Sequence, residues 1–447
     1  VCLAVYGHQP SASTQQMPAA GAIARAIRES GVLTPTIMVG GHVSALPDRT
    51  LREEAVTYAC KGEGPLTILS LLRESTGRDG YLHRADHPSI PGLVWRCDNG
   101  DIAVNKEAPL LSPEALHGNA WDLLPMHRYR SHNWQAFGGG YRQPYASVYT
   151  SLGCPYRCTF CCINAPFGAT PTYRMRDPRA VVDEMVMLYR QHGVRTFKIT
   201  DEMFILNERH YSTIARGLIA SKIAPHINIW AYARVDTVKP ATLALLREAG
   251  FRWLALGIES GSKLVRDGAK KALKSDDING IVKAIQGAGI SVIGNYIFGL
   301  PDDDMASMQD TLRLALDLNT EFANFYCAMA YPGSPLYDQA AGGSWTLPSS
   351  WMGYSQHSYE CCPLGSRLLT AENVLKFRDM AFQFYFGCVP YLDMIERKFG
   401  PTTRAQVSAM TRQKLRRQLL EAPREPARDS LERDRSGEPS HHGAGPD

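Results

Sequence analysis

Apolar residues at the start of the chain fall into short, regularly spaced runs. VCLAVYG, TPTIMVGG and AVTYACKGEG have the length and bounding glycines of buried strands. AAGAIARAIRESG and PLTILSLLRES instead repeat their apolar positions with a helical period. The resulting order over residues 1–75 predicts a parallel sheet with crossover helices. TPTIMVGG ends on Gly40-Gly41, at the carboxyl edge of that sheet, where a bare backbone lets a ligand approach. Since Val1 already stands at the opening of a strand, about two further strands are expected ahead of it in a complete doubly wound unit. The natural N-terminus is accordingly expected upstream.

The pattern changes over residues 76–145, which carry Pro88, Pro91, Pro125 and the run Gly138-Gly139-Gly140. GLVWRCDNGDIAVN places two alternating runs around Asn99-Gly100, so this segment reads as a linker bearing a small hairpin. From residue 146 to 340 a strand–helix rhythm returns. SVYTSLG, RTFKITD, INIWAYARVD, RWLALGIES, SVIGNYIFGL and FANFYCAMAY are the six predicted strands, with AVVDEMVMLYRQHG, TLALLREAG and MQDTLRLALDLN among the helices between them. Six β/α units form a partial barrel or a doubly wound sheet, and in both the chemistry gathers at the carboxyl ends of the strands. Residues 341–420 form an aromatic-rich region with at least two helices, ENVLKFRDMAFQFYF and RAQVSAMTRQKLRRQLLE. The segment 421–447 is charged, rich in Pro and Gly and short of apolar anchors, and is expected to be disordered.

Composition narrows the function classes. Lys and Arg number 48 against 44 Asp and Glu, a net charge of +4 spread along the chain, which gives no footprint for nucleic acid. Eleven cysteines in 447 residues are too sparse for a disulfide scaffold, yet four crowd into positions 154 to 162. That crowding favours metal ligation in a reducing compartment. The chain has no apolar stretch approaching the roughly 18 residues of a membrane span, and its opening lacks the basic flank of a signal peptide. A cytoplasmic protein without membrane or nucleic-acid partners is expected.

SLGCPYRCTFCC spaces Cys154, Cys158 and Cys161 as C-x3-C-x2-C directly after a predicted strand. Three thiolates on one short loop can wrap a cubic 4Fe-4S cluster and leave its fourth iron open. A structural zinc site would pair such cysteines with a second pair or with histidines some 15 to 20 residues on, and the next histidine is His192, in a predicted helix-to-strand turn. Cys162 reads as a small buried side chain.

GCPYRCTFC resembles the radical S-adenosylmethionine (SAM) superfamily, in which the residue before the third cysteine, here Phe160, lies near the adenine. The resemblance spans roughly residues 145 to 335 and extends to the strand ends. It implies that Asp201 and Glu202, in TDEMF, handle the SAM amino group, although a helix cap is an equal reading of Asp201. It implies that Arg234, in ARVD, pairs with the SAM carboxylate, against an ion pair with Asp236. Glu259 and Ser260, in GIESG, would bind the ribose. Gly299, in FGLPDD, would meet the adenine edge, or simply mark a turn.

The N-terminal unit, through MVGGHVSALPDRTL and CKGEG, is similar to the later part of the B12 domain in the cobalamin-binding class of this superfamily. Gly40, Gly41, His42 and Ser44 would lie beside the nucleotide tail of cobalamin, with Glu63 and Gly64 at the next strand end. The sequence D-x-H-x-x-G, which supplies an axial histidine in other B12 methyltransferases, is absent. The implied α/β architecture is a partial (β/α)6 radical SAM barrel, preceded by a truncated Rossmann-like cobalamin-binding domain and followed by a mostly helical C-terminal cap. In SSWMGYSQHSYECC, Trp351, Tyr354, Gln356, His357, Tyr359, Glu360, Cys361 and Cys362 suit a substrate lid or a packed cap equally.

The activity this implies is methylation of an unactivated carbon in a small-molecule or natural-product intermediate. The implied cofactors are a 4Fe-4S cluster, SAM and cobalamin, working through a 5′-deoxyadenosyl radical and methylcobalamin, with an external electron donor such as flavodoxin or ferredoxin. Two rivals remain: a cobalamin-binding radical SAM enzyme that cyclises, contracts or rearranges its substrate without methyl transfer, and a non-catalytic iron–sulfur scaffold.

Overall fold

The computed structural model describes residues 1–7, 12–31, 34–75, 87–273 and 277–421. The segment expected to be disordered, apart from Glu421, lies outside them.

Three short strands, β1 (Cys2–Val5), β2 (Ile37–Gly40) and β3 (Tyr58–Cys60), pair in parallel in that order. The hairpin at Asn99-Gly100 forms as β4 (Leu93–Arg96) and β5 (Ile102–Val104). It is not a separate ribbon in a linker, because β4 pairs antiparallel with β3 and completes a five-stranded sheet. The reason is burial: Leu93 and Val94 are fully covered and Trp95 nearly so, which two strands alone cannot achieve. The first crossover helix, Ala12–Glu29, begins well before the predicted run and carries Pro18 inside it.

The six predicted core strands form one parallel sheet in sequential order. They are β6 (Tyr145–Val148), β9 (Thr196–Ile199), β10 (Asn228–Arg234), β11 (Phe251–Glu259), β12 (Ser291–Phe298) and β13 (Phe322–Cys327). Helices such as Pro178–His192, capped by the Asp177 carboxylate, and Met305–Leu318, capped by Asp304, return each strand to the next. Each strand neighbours its predecessor, as in a partial (β/α)6 barrel. The predicted strand SVYTSLG is broken: β6 stops at Val148, and Ser151–Leu152 (β7) turn away to pair with Arg174–Met175 (β8).

An aromatic plug closes the amino end of the barrel. Trp134 packs edge-on against Trp230 and Trp253, and Phe399 stacks on Trp253 with ring centres 5.8 Å apart. The residues between hairpin and barrel therefore close the barrel floor as well as connecting domains. The C-terminal region is helical, with Ala371–Gly387 lying on β12 and β13. The predicted helix over 404–421 ends at Thr411, and a helix over Val389–Phe399 went unpredicted because Pro390 looks like a breaker. Pro390 occupies the helix's first turn, where no N–H is required. No helix of the described residues is long and apolar enough to cross a membrane.

Candidate active site

The loop after β7 is built around Gly153, whose φ of +87° places its Cα where a side chain would fall 2.4 Å from the Thr172 carbonyl oxygen. Only glycine fits, and the chain then swings Cys154, Cys158 and Cys161 onto one cavity. The loop is pinned by the Thr159 amide donating to the Ala269 carbonyl at 3.0 Å and the Leu336 amide donating to the Thr159 carbonyl at 2.9 Å. Behind it, the buried Asp201 carboxylate accepts from the Thr150 amide, the Thr150 hydroxyl and the Ser151 hydroxyl at 2.5–2.6 Å. Asp201 thus holds the bend between β6 and β7. It neither caps a helix nor faces the cavity.

The cavity, of about 440 Å³, opens at the carboxyl ends of the core strands. Beside the three cysteines it is lined by Phe160, Glu202, Arg234 and Glu259, as the sequence suggested, and by Gly41 from the N-terminal sheet. Burial pushes the Glu202 carboxyl up to about 8, and its Oε2 is buried without a hydrogen-bond partner. Such an atom suits an incoming ammonium. Glu259 adopts φ +66° just after a bulge between β11 and β12, a strained conformation for a residue with a side chain. Its Oε1 accepts from Lys271 Nζ at 2.8 Å. Arg234 is buried and pairs with Asp236 at 3.0 Å, so the ion-pair reading of this residue is realised, inside the protein rather than on its surface.

Other predicted residues do not reach the cavity. Ser260 bonds Thr311 and Gly299 packs beneath Val374, so neither is placed to touch a ligand there. Gly40 takes φ +148°, with no room for a side chain because the Val5 carbonyl oxygen would lie 2.2 Å away. Gly64 takes φ +103°, a conformation side chains avoid, and lies beside Val39 rather than in the cavity lining. His42 bonds Thr14 at 3.1 Å and meets the edge of Trp351 with ring centres 4.4 Å apart. Ser44 donates to the Ala165 carbonyl and accepts from the Gly62 amide. Glu63 pairs with Arg174, which also donates to the Leu111 carbonyl. His42, Ser44 and Glu63 are contacts that join the N-terminal sheet to its neighbours.

Burial, with a smaller contribution from Arg49, lowers His42 to about 3, far below its unfolded value. The unfolded chain then binds the extra proton below pH 6.5, so His42 costs stability as pH falls. Between pH 6.5 and 5 the native protein should lose about 2 kcal/mol more than a His42→Gln variant. Urea unfolding of both proteins at the two pH values measures the difference, and equal slopes would contradict this.

Sequence reasoning missed several lining residues: Tyr6 and Gly7 after β1, Gln15, Lys271 and Asn295, whereas Tyr331, in the rigid turn after the sixth strand, and Gln356, in the expected lid or cap, do line the cavity. Gln15 donates to the Tyr331 hydroxyl at 2.9 Å, and Gln356 bonds both the amide and the carbonyl of Cys327. These contacts bring the N-terminal sheet, the sixth core strand and the cap onto a single cavity. None of the missed residues carried a local signal: Lys271 sits in the charged run VRDGAKKALK.

The donor set fits an iron–sulfur cluster. Among the described residues no three His, Cys, Asp or Glu side chains converge to hold a lone metal ion. In a cubic cluster each thiolate meets a different iron, so three thiols spread around one cavity suit it better than they suit zinc. Burial holds the Cys154 thiol up at about 11 and pushes that of Cys161 well above its ordinary value, so loading must displace protons.

Residues 148–315 match the radical SAM superfamily. An uncharacterised methyltransferase of Pyrococcus horikoshii is 26% identical over 77% of this chain and 71% of its own. The anaerobic magnesium-protoporphyrin IX monomethyl ester cyclase of Rubrivivax gelatinosus is 24% identical over 68% of this chain and 53% of its own. Among solved structures, the radical SAM methyltransferase TsrM of Kitasatospora setae, with cobalamin and a [4Fe-4S] cluster bound, superposes with a TM-score of 0.60 at 21% identity. That match covers 78% of this chain and 65% of TsrM.

Proposed function

We propose that this chain, whose residues 148–315 form a radical SAM domain, is a cobalamin-dependent radical SAM methyltransferase acting on an unactivated carbon of a small molecule. The observation that carries the reading is the shared cavity: the three thiols of the C-x3-C-x2-C loop and the glycine-bearing edge of the N-terminal sheet, Gly7 and Gly41, line the same space. When bound, the cluster supplies the electron that splits the SAM sulfonium bond, and cobalamin supplies a carrier for the methyl group.

The protein's contribution is placement. Cys154, Cys158 and Cys161 would hold the cluster. Glu202 would take the SAM ammonium and Glu259 the ribose hydroxyls, while Phe160 packs near the adenine. The corrin would lie against Tyr6, Gly7 and Gly41, where the two glycines leave the edge bare of side chains. A nucleotide tail along Ser44 and Glu63 does not fit, since both are already bonded. His42, with its ring against Trp351, does not line the cavity. On this reading residues 1–75 with the hairpin are the corrinoid unit, residues 146–340 the radical core and residues 341–420 the cap. The protein would work in the cytoplasm with reduced flavodoxin or ferredoxin.

Ring closure without methyl transfer is the second reading, favoured by the similarity to the Rubrivivax gelatinosus cyclase. Chromatography with mass spectrometry separates the two. The cluster-loaded protein with SAM, reductant and cobalamin should form both 5′-deoxyadenosine and S-adenosylhomocysteine, the latter only when cobalamin is present. 5′-Deoxyadenosine alone would exclude methyl transfer.

A further inference from the structure

We propose that Lys271, rather than Arg234, receives the SAM carboxylate, and that its ion pair with Glu259 holds both side chains ready until SAM separates them. The proposal rests on the radical SAM reading of the cavity. SAM brings an ammonium, a carboxylate and a ribose diol, and each needs a partner once water is excluded.

Arg234 is already committed. Its Nε and Nη2 donate to the Asp236 carboxylate at 3.0 and 3.4 Å, Nη2 also donates to the Ala272 carbonyl at 2.9 Å, and Nη1 points to Cys158 Sγ at 3.9 Å. Its guanidinium lies 4.0 Å above the Tyr156 ring. To reach a ligand it would have to give up its bonds to a buried carboxylate and to the Ala272 carbonyl, and its place on the Tyr156 ring.

Lys271 is free to change partners. It is 7% exposed and lines the cavity with the cysteines, and among the described residues its side-chain partner is Glu259. An ammonium has three donors, so bonding one carboxylate leaves capacity for another. The pair lies directly over Gly257, where a side chain would fall 2.5 Å from Glu259 Oε1 and 2.8 Å from Lys271 Nζ. When the ribose diol takes the Glu259 oxygens and the SAM carboxylate takes Nζ, neither buried charge is orphaned. Two backbone ties fix Lys271 relative to the cluster loop: the Thr159 amide on the Ala269 carbonyl, and Arg234 on the Ala272 carbonyl. Arg234 is therefore a positioning residue for the loop that carries Lys271.

The test compares SAM with decarboxylated SAM, which lacks the carboxylate, by anaerobic calorimetry on the cluster-loaded protein. Lys271→Met should reduce the preference for SAM by about 10- to 100-fold, the worth of a charge-assisted hydrogen bond, and leave binding of decarboxylated SAM within a few-fold. Lys271→Arg should restore much of the preference, and Arg234→Gln should weaken both ligands alike. Iron content reports folding, and a Glu259→Gln/Lys271→Met pair removes the unpaired carboxylate if the single variant is unstable. An unchanged preference in Lys271→Met, or its selective loss in Arg234→Gln, would overturn the proposal. Wild-type protein that binds neither ligand would overturn the radical SAM reading, and this proposal with it.

Discussion

Cys154→Ala should lose its cluster iron and form no detectable 5′-deoxyadenosine, yet remain folded. Cys154 sits partly exposed on a loop outside the hydrophobic core, so its loss opens no core cavity. What it removes is one of three thiolates, and two cannot hold a cluster whose fourth iron is already without protein ligand. Iron should fall from about four per chain to well below one. Cys162→Ala is the control. That thiol also borders the cavity but is 7% exposed and adjacent to Cys161, and its removal should cost about 1 kcal/mol of stability while leaving iron content unchanged. Iron and sulfide analysis with thermal unfolding checks both variants. A Cys154→Ala protein that keeps its cluster, or a Cys162→Ala protein that loses it, would shift the ligand register.

Arg174→Ala should give the largest loss of stability outside the cluster loop. Arg174 Nη1 meets Glu63 Oε2 at 3.1 Å, both side chains are about nine-tenths buried, and the guanidinium lies over the Phe167 ring. Removing it strands the Glu63 carboxylate between the N-terminal sheet and β8, a cost of about 3–5 kcal/mol. Replacing both partners, as Glu63→Gln/Arg174→Met, should recover most of that loss, because the stranded charge is the main cost. Chemical unfolding of the wild type, the single variant and the pair measures this. A single variant within 1 kcal/mol of wild type would show that water reaches the pair.

These expectations depend on features of unequal legibility. The six core strands were visible as apolar runs at regular spacing, and the cysteine loop by its spacing alone. Both signals are local. Asp201 and Glu202 are neighbours in sequence, yet one braces the β6–β7 bend and the other faces the cavity. Both follow the end of β9 at Ile199, where no strand periodicity sets which side chain turns inward. Gly299 and Gly40 stood at strand ends where ligands approach, and the structure uses them to let Val374 and Val5 pack closely. Glu63 met Arg174 across 111 residues, a pairing with no local trace. Gln15 likewise became a cavity residue only because sheet, barrel and cap meet there.

The central claim is that the cluster and the corrin face one cavity, and magnetic relaxation tests it directly. In protein loaded with both cofactors, the electron paramagnetic resonance signal of cobalt(II) cobalamin should relax markedly faster when the cluster is reduced and paramagnetic than in cluster-free Cys154→Ala protein. Identical cobalt relaxation in the two, with cobalamin bound to both, would contradict the shared cavity.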